Sequence, residues 1–212
     1  MSSASATRSV VRSMGVGRSC MSSCIIWSDV NSTALHGSSG SMKPVEKSCR
    51  SFLALYLLNL AISRTAAARL LRQFHDATLD CPLRNGHEVL CHGDASPCNC
   101  VFVDDLPTAF IDFDAAHPGS RLEDLGYAAW LWIDIGNDER SPDLQGQRVA
   151  HFFSSYGVDG ADALSSVISA QVTLAERATL SGVRAWSDDC RAWVLRNRDK
   201  LSSAIASRSI RL

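Results

Sequence analysis

The sequence predicts an α+β protein that is mainly helical, with one short β region set between its helices. Three observations predict it. From about residue 65 apolar residues recur at three- and four-residue steps, as in Leu70, Leu71 and Phe74, which is the spacing of one helix face. Between residues 88 and 113 that rhythm gives way to short runs rich in Val, Ile and Phe separated by turn residues, as in strands. Helical spacing then resumes and holds to about residue 205.

Residues 1–48 are rich in Ser and Gly and have little periodicity beyond Cys24-Ile25-Ile26-Trp27. They are expected to be a poorly structured or degenerate N-terminal segment, with the folded domain over 49–212. Phe52 to Ile62 and Thr65 to His75 read as helices, ended by Pro82 and Asn85-Gly86. His75 closes an apolar face and is expected to be a structural histidine. Glu88–Cys91, Cys100–Val103 and Thr108–Phe113 read as strands, the last two joined by a turn over Asp104-Asp105-Leu106-Pro107. Alternation along the third strand would turn Asp112 away from Ile111 and Phe113. Ser120 and Glu123 have capping-box spacing at the start of a helix, whose Leu122, Leu125, Ala129 and Trp132 would bury one side against the β region. Further helices are expected over Leu144–Tyr156, Ala161–Leu180 and Val183–Ile205, with a loop at Gly157–Gly160. His117, before Pro118, reads as a loop residue.

A chain of 212 residues, 46% hydrophobic and 20% charged, has the composition of a globular protein able to bury roughly 70% of its unfolded surface. Its net charge of −1 conceals an asymmetry. Residues 1–75 hold nine basic and two acidic residues, and residues 76–212 hold twelve and twenty. The basic part lacks the aromatic or motif support that nucleic-acid binding would need. Residues 1–28 contain no acid; they read either as a disordered leader or as a transit-like segment. The apolar run Phe52–Ile62 is far short of the ~20 residues a bilayer requires, so no membrane span is expected. The eight cysteines lack paired zinc-knuckle spacing; Cys91, Cys98 and Cys100 are expected to be reduced thiols in a cytoplasmic protein.

Chemistry concentrates in His92-Gly93-Asp94-Ala95-Ser96-Pro97-Cys98-Asn99, followed by Ile111-Asp112-Phe113-Asp114. Phosphoryl transfer uses an aspartate to receive a hydroxyl proton, an asparagine five residues later for a metal ion, and a second aspartate at a strand end for the same metal. Asp94 follows a glycine on a tight loop and is the candidate base. Asn99 and Asp112 offer the neutral and charged oxygens that suit Mg²⁺. His92 is expected to pack and orient the loop. Asp124 has two readings: an acid favoured by the dipole of a helix first turn, or an acceptor for the catalytic-loop backbone. A metal-hydrolase reading of His92, Asp94 and His117 lacks a second cluster of ligands.

At these residues the sequence resembles the aminoglycoside phosphotransferase family, small-molecule relatives of the protein kinases. The likeness runs from Ala68-Arg69-Leu70-Leu71-Arg72-Gln73-Phe74-His75-Asp76 to Arg121-Leu122-Glu123-Asp124-Leu125-Gly126-Tyr127, within about residues 65–180. It implies a protein-kinase-like C-terminal lobe with a short β-hairpin carrying the catalytic and metal-binding loops. It implies ATP and Mg²⁺ as cofactors and transfer of a γ-phosphate to a hydroxyl of a small molecule. A complete member also has a nucleotide lobe with a strand lysine. Residues 1–50 offer only Gly15-Val16-Gly17, Lys43 and Lys47, none in a Val/Ile-rich strand, so the ATP-binding residues stay unassigned. The alternative is therefore a truncated, inactive relative that retains at most a binding role. The acidic bias after residue 112 suits a cationic acceptor, with Asp134, Asp138, Glu139, Asp143, Asp159 and Asp162 as candidates; ordinary surface charge is the competing reading.

Overall fold

The computed structural model describes residues 60–209. The expectations placed on residues 1–48, on the strand lysine and on most of Phe52–Ile62 lie outside those residues. Within them the chain forms six α-helices and two small two-stranded antiparallel sheets, a mainly helical α+β fold.

Helix α1 (Leu60–Ala77) buries Ala67, Leu71 and His75 along one face. A short 3₁₀ turn at Pro82–Arg84 ends at Asn85 in the left-handed region, φ 47°, and leads to β1 (Val89–Cys91). A second 3₁₀ turn, Pro97–Asn99, opens directly into β2 (Cys100–Val103), which returns as β3 (Leu106–Phe110). The last strand, β4 (His117–Gly119), pairs antiparallel with β1. His117 therefore lies in a strand, directly opposite Cys91, and is not a loop residue.

The hairpin is tighter than the sequence suggests. Asp104 and Asp105 both have positive φ, 50° and 61°, so two residues close the turn and Leu106 already pairs with Val103. Such two-residue turns match the twist of the strands they join. A register irregularity between Val101 and Phe102 sits opposite Pro107, which cannot donate to the ladder. The strand also ends sooner. Asp112 has φ 64°, so a left-handed residue beyond β3, and not strand alternation, sets where its carboxylate goes.

Helix α2 (Arg121–Ile133) starts at Ser120, whose Oγ accepts the Glu123 N–H at 3.1 Å. The reciprocal half of the capping box is missing because the Glu123 carboxylate turns to His117 instead. Leu125, Ala129 and Trp132 are buried as expected and Leu122 is half-buried, but Ala128, Trp130 and Ile133 are buried too. A helix apolar nearly all round is a core helix, and α2 packs more on another helix than on the β region.

The remaining helices are α3 (Pro142–Tyr156), α4 (Ala163–Arg177), α5 (Ser181–Arg196) and α6 (Arg198–Ser209). Ser141 caps α3, accepting from Leu144 N–H, and Gly157 ends it at φ 102°. The expected single helix over Val183–Ile205 is two, broken at Asn197. Its side-chain amide donates to the Trp193 carbonyl at 3.0 Å, the local competition with the helix ladder that asparagine offers. The α2–α4 contact is close: a Cβ at Gly126 would lie 2.5 Å from the Ser166 carbonyl carbon. One continuous core joins α1, α2, α3, α4, α5 and α6 through Leu71, Trp130, Phe153, Val167, Val194 and Leu201.

Candidate active site

The loop after β1 is shaped by its glycine. Gly93 has φ +79°, and a Cβ there would lie 2.2 Å from the Ala115 carbonyl oxygen. Only glycine combines that conformation with that approach. The close contact presses the Asp94 loop against the turn that follows Asp112.

Hydrogen bonds then fix the loop from within. The Asp94 carbonyl accepts from Ser96 N–H at 2.7 Å and from the Asn99 side-chain amide at 3.0 Å. Because the amide nitrogen is the bonded end, the Asn99 side-chain oxygen is left to other partners. The Asn99 carbonyl accepts from Ile111 N–H at 2.9 Å, so Asn99 adjoins the residue before Asp112. His92 ties the same two segments. Its Nδ1 accepts the Asp94 N–H at 3.3 Å, and its Nε2 donates to the Ile111 carbonyl at 3.2 Å. Those partners require the neutral Nε2–H tautomer. Burial holds the His92 pKa below its usual value despite the carboxylates of Asp124 and Asp94 nearby.

A second clamp reaches the loop from α2. Asp124 is buried, and its carboxylate accepts from His92 N–H at 2.7 Å and Gly93 N–H at 3.0 Å. Burial alone would raise its pKa, but hydrogen bonds from His75, His92 and Gly93 outweigh that and hold it below the ordinary carboxylate value. Both sequence readings of Asp124 thus describe it, since it lies in the first turn of α2. His75 Nε2 bonds its Oδ2 at 3.0 Å, and His75 Nδ1 meets the Tyr156 hydroxyl at 2.6 Å. The Tyr156 hydroxyl accepts from Arg121 at 3.0 Å, and Arg121 is paired with Asp76 and Glu88. This relay from surface to loop involves His75, Tyr156 and Arg121, which the sequence does not mark as site residues. The one available signal was a histidine on an otherwise apolar helix face.

Asp94 opens into a cavity of about 810 Å³ between the β1–β4 side of the lobe and α4. Its far wall carries Ser165, Ser169, Thr173 and Arg177, a row at four-residue spacing and so along one face of α4. Of the acids considered for binding an acceptor, only Asp162 lines this cavity. Asp134 is engaged with Arg140 at 3.2 Å and with Asn137.

The donor set can be tested against the implied metal. Asn99 and Asp112 supply neutral and anionic oxygens, and the Asp112 side chain, on an exposed residue, has no hydrogen bond or ion pair within the described residues. Asn99 is buried and Asp112 exposed; a pair of hard oxygen ligands with one open to solvent suits Mg²⁺, which keeps several waters. The fit is good. Cys91, Cys98 and Cys100 stand as thiols, as the sequence leads one to expect.

The fold is mainly helical, and its small β region presents an oxygen-rich loop at a cavity mouth. The family follows directly. The chain belongs to the phosphotransferase enzyme family, whose model matches residues 42–158, more than half of its length. No curated protein and no solved structure matches the chain. The match takes in α1 through α3 and the whole Asp94 loop, while α4, the far wall of the cavity, lies beyond it.

Proposed function

We propose that this chain is a Mg-ATP-dependent small-molecule O-phosphotransferase built on a protein-kinase-like C-terminal lobe. The observation that supports the reading best is the position of Asp94, at the junction of the cavity and the segment holding Asn99 and Asp112, on a loop clamped by Asp124. The cavity would hold the acceptor, with one hydroxyl directed to Asp94. Asp94 takes that hydroxyl proton as its oxygen bonds to the γ-phosphorus and the bond to the leaving diphosphate breaks. General-base help of this kind contributes typically ~10²–10⁴-fold. Asn99 and Asp112 would hold Mg²⁺, which when bound neutralises charge on the phosphate oxygens. His92 and Asp124 act through the loop: they keep Asp94 fixed, so little reorganisation is needed at the moment of reaction.

The test uses the full chain. Calorimetric titration with Mg-ATP should show binding that Asp112→Ala removes. Asp94→Asn should keep that binding yet lose phosphate transfer from labelled ATP to a panel of aminoglycosides, choline and sugars. Failure to bind at millimolar nucleotide would overturn the proposal and leave an inactive relative of the family.

A further inference from the structure

A second cluster of ligand atoms lies on the β1–β4 pair and the first turn of α2, close to Gly93. We infer that Cys91, His117 and Glu123 form a site for a zinc-class divalent cation, distinct from the oxygen pair Asn99 and Asp112. Cys91 and His117 are directly paired across β1 and β4, and Glu123 stands in the first turn of α2. One ligand atom from each lies within 4.8 Å of the other two. His117 Nε2 is already 3.0 Å from Glu123 Oε1.

Three features shape this cluster for a metal. His117 Nδ1 lies 2.9 Å from the Ala115 carbonyl; donation there fixes the ring so that Nε2 faces the other two ligands, the outer-shell support usual for a metal-bound histidine. Gly119 leaves the space open, because a Cβ would sit 2.7 Å from Cys91 Sγ and 2.6 Å from Glu123 Oε2. Burial falls from Cys91 through His117 to Glu123, so a cation can enter from the Glu123 side.

The donor types select the metal. A thiolate, an imidazole and a carboxylate suit Zn²⁺, whereas Mg²⁺ prefers oxygen alone. On binding, Cys91 gives up the thiol proton it donates to the Ser120 carbonyl, the cation takes the place of the proton between His117 and Glu123, and both protons pass to solvent. Three protein ligands leave a fourth tetrahedral position for water. His117 and Glu123 line the same cavity as Asp94, so that position is reachable from it. A bound cation would also join β1, β4 and α2 immediately beside the catalytic loop. The site stands whether or not the lobe transfers phosphate.

Cobalt is the probe, since a thiolate on Co²⁺ gives a near-ultraviolet charge-transfer band. The reduced, chelator-stripped full chain is titrated with Co²⁺ and then competed with Zn²⁺ in millimolar Mg²⁺. The expected result is one equivalent bound with that band, displaced by Zn²⁺ and indifferent to Mg²⁺. Cys91→Ser should abolish the band, while Cys98→Ser and Cys100→Ser keep it. Glu123→Gln, a change at an exposed side chain, should weaken binding at least about tenfold. Absence of the band, its survival in Cys91→Ser, or unchanged affinity in Glu123→Gln would each overturn the site.

Discussion

Asp124 shows how much one buried side chain can organise. Its carboxylate accepts two backbone N–H groups of the Asp94 loop and one histidine. Asp124→Ala would leave the buried His92 N–H and His75 ring, and the half-buried Gly93 N–H, without that acceptor, and such losses cost about 3–5 kcal/mol. Urea unfolding should record a loss of that size, with Asp124→Asn intermediate. His92 makes a pH prediction. Its folded pKa is depressed by burial below the ordinary 6.5, so the unfolded chain binds more protons once the pH falls below that value. Its contribution is therefore present above pH ~6.5 and declines as the pH drops toward the folded pKa. Stability measured between pH 7.5 and 5 should fall on the acid side, and His92→Gln should flatten the slope.

At the scale of elements, the hairpin and the α2–α4 contact make opposite predictions. Asp104 and Asp105 occupy left-handed conformations that glycine accepts without strain. Asp105→Gly, with the two-residue turn kept, should stabilise the protein by about 1 kcal/mol in thermal or urea melts. Gly126 has no such room to spare. Gly126→Ala would place a methyl 2.5 Å from the Ser166 backbone and force α2 and α4 apart, at a cost of about 1–3 kcal/mol. The same change should widen the cavity wall that bears Ser165 and Ser169.

Across the whole molecule, the first and last helices among the described residues share one core. Leu71 in α1 and Leu201 in α6 are both fully buried in it. Leu71→Ala and Leu201→Ala should each cost about 2–5 kcal/mol and shift one cooperative transition, read alike by circular dichroism and tryptophan fluorescence. Two separate transitions would show that the β region and the helices unfold apart. Among the described residues no helix is long and apolar enough to cross a membrane.

Local features were readable from residue order. Helix spacing around Leu71, the cap at Ser120, the hairpin and the family motif from His92 to Asp112 depend on neighbours a few residues apart, and those were legible. The sequence missed the early end of β3 and the break at Asn197, where a left-handed residue and a side-chain hydrogen bond override propensity. Only the tertiary structure decided which distant groups meet. Asp124 reaches the loop across 31 residues of chain and His75 reaches Asp124 across 49. The α4 hydroxyls face Asp94 across a cavity. No periodicity encodes such contacts, because packing of the core, and not the order of residues, brings them within hydrogen-bond range.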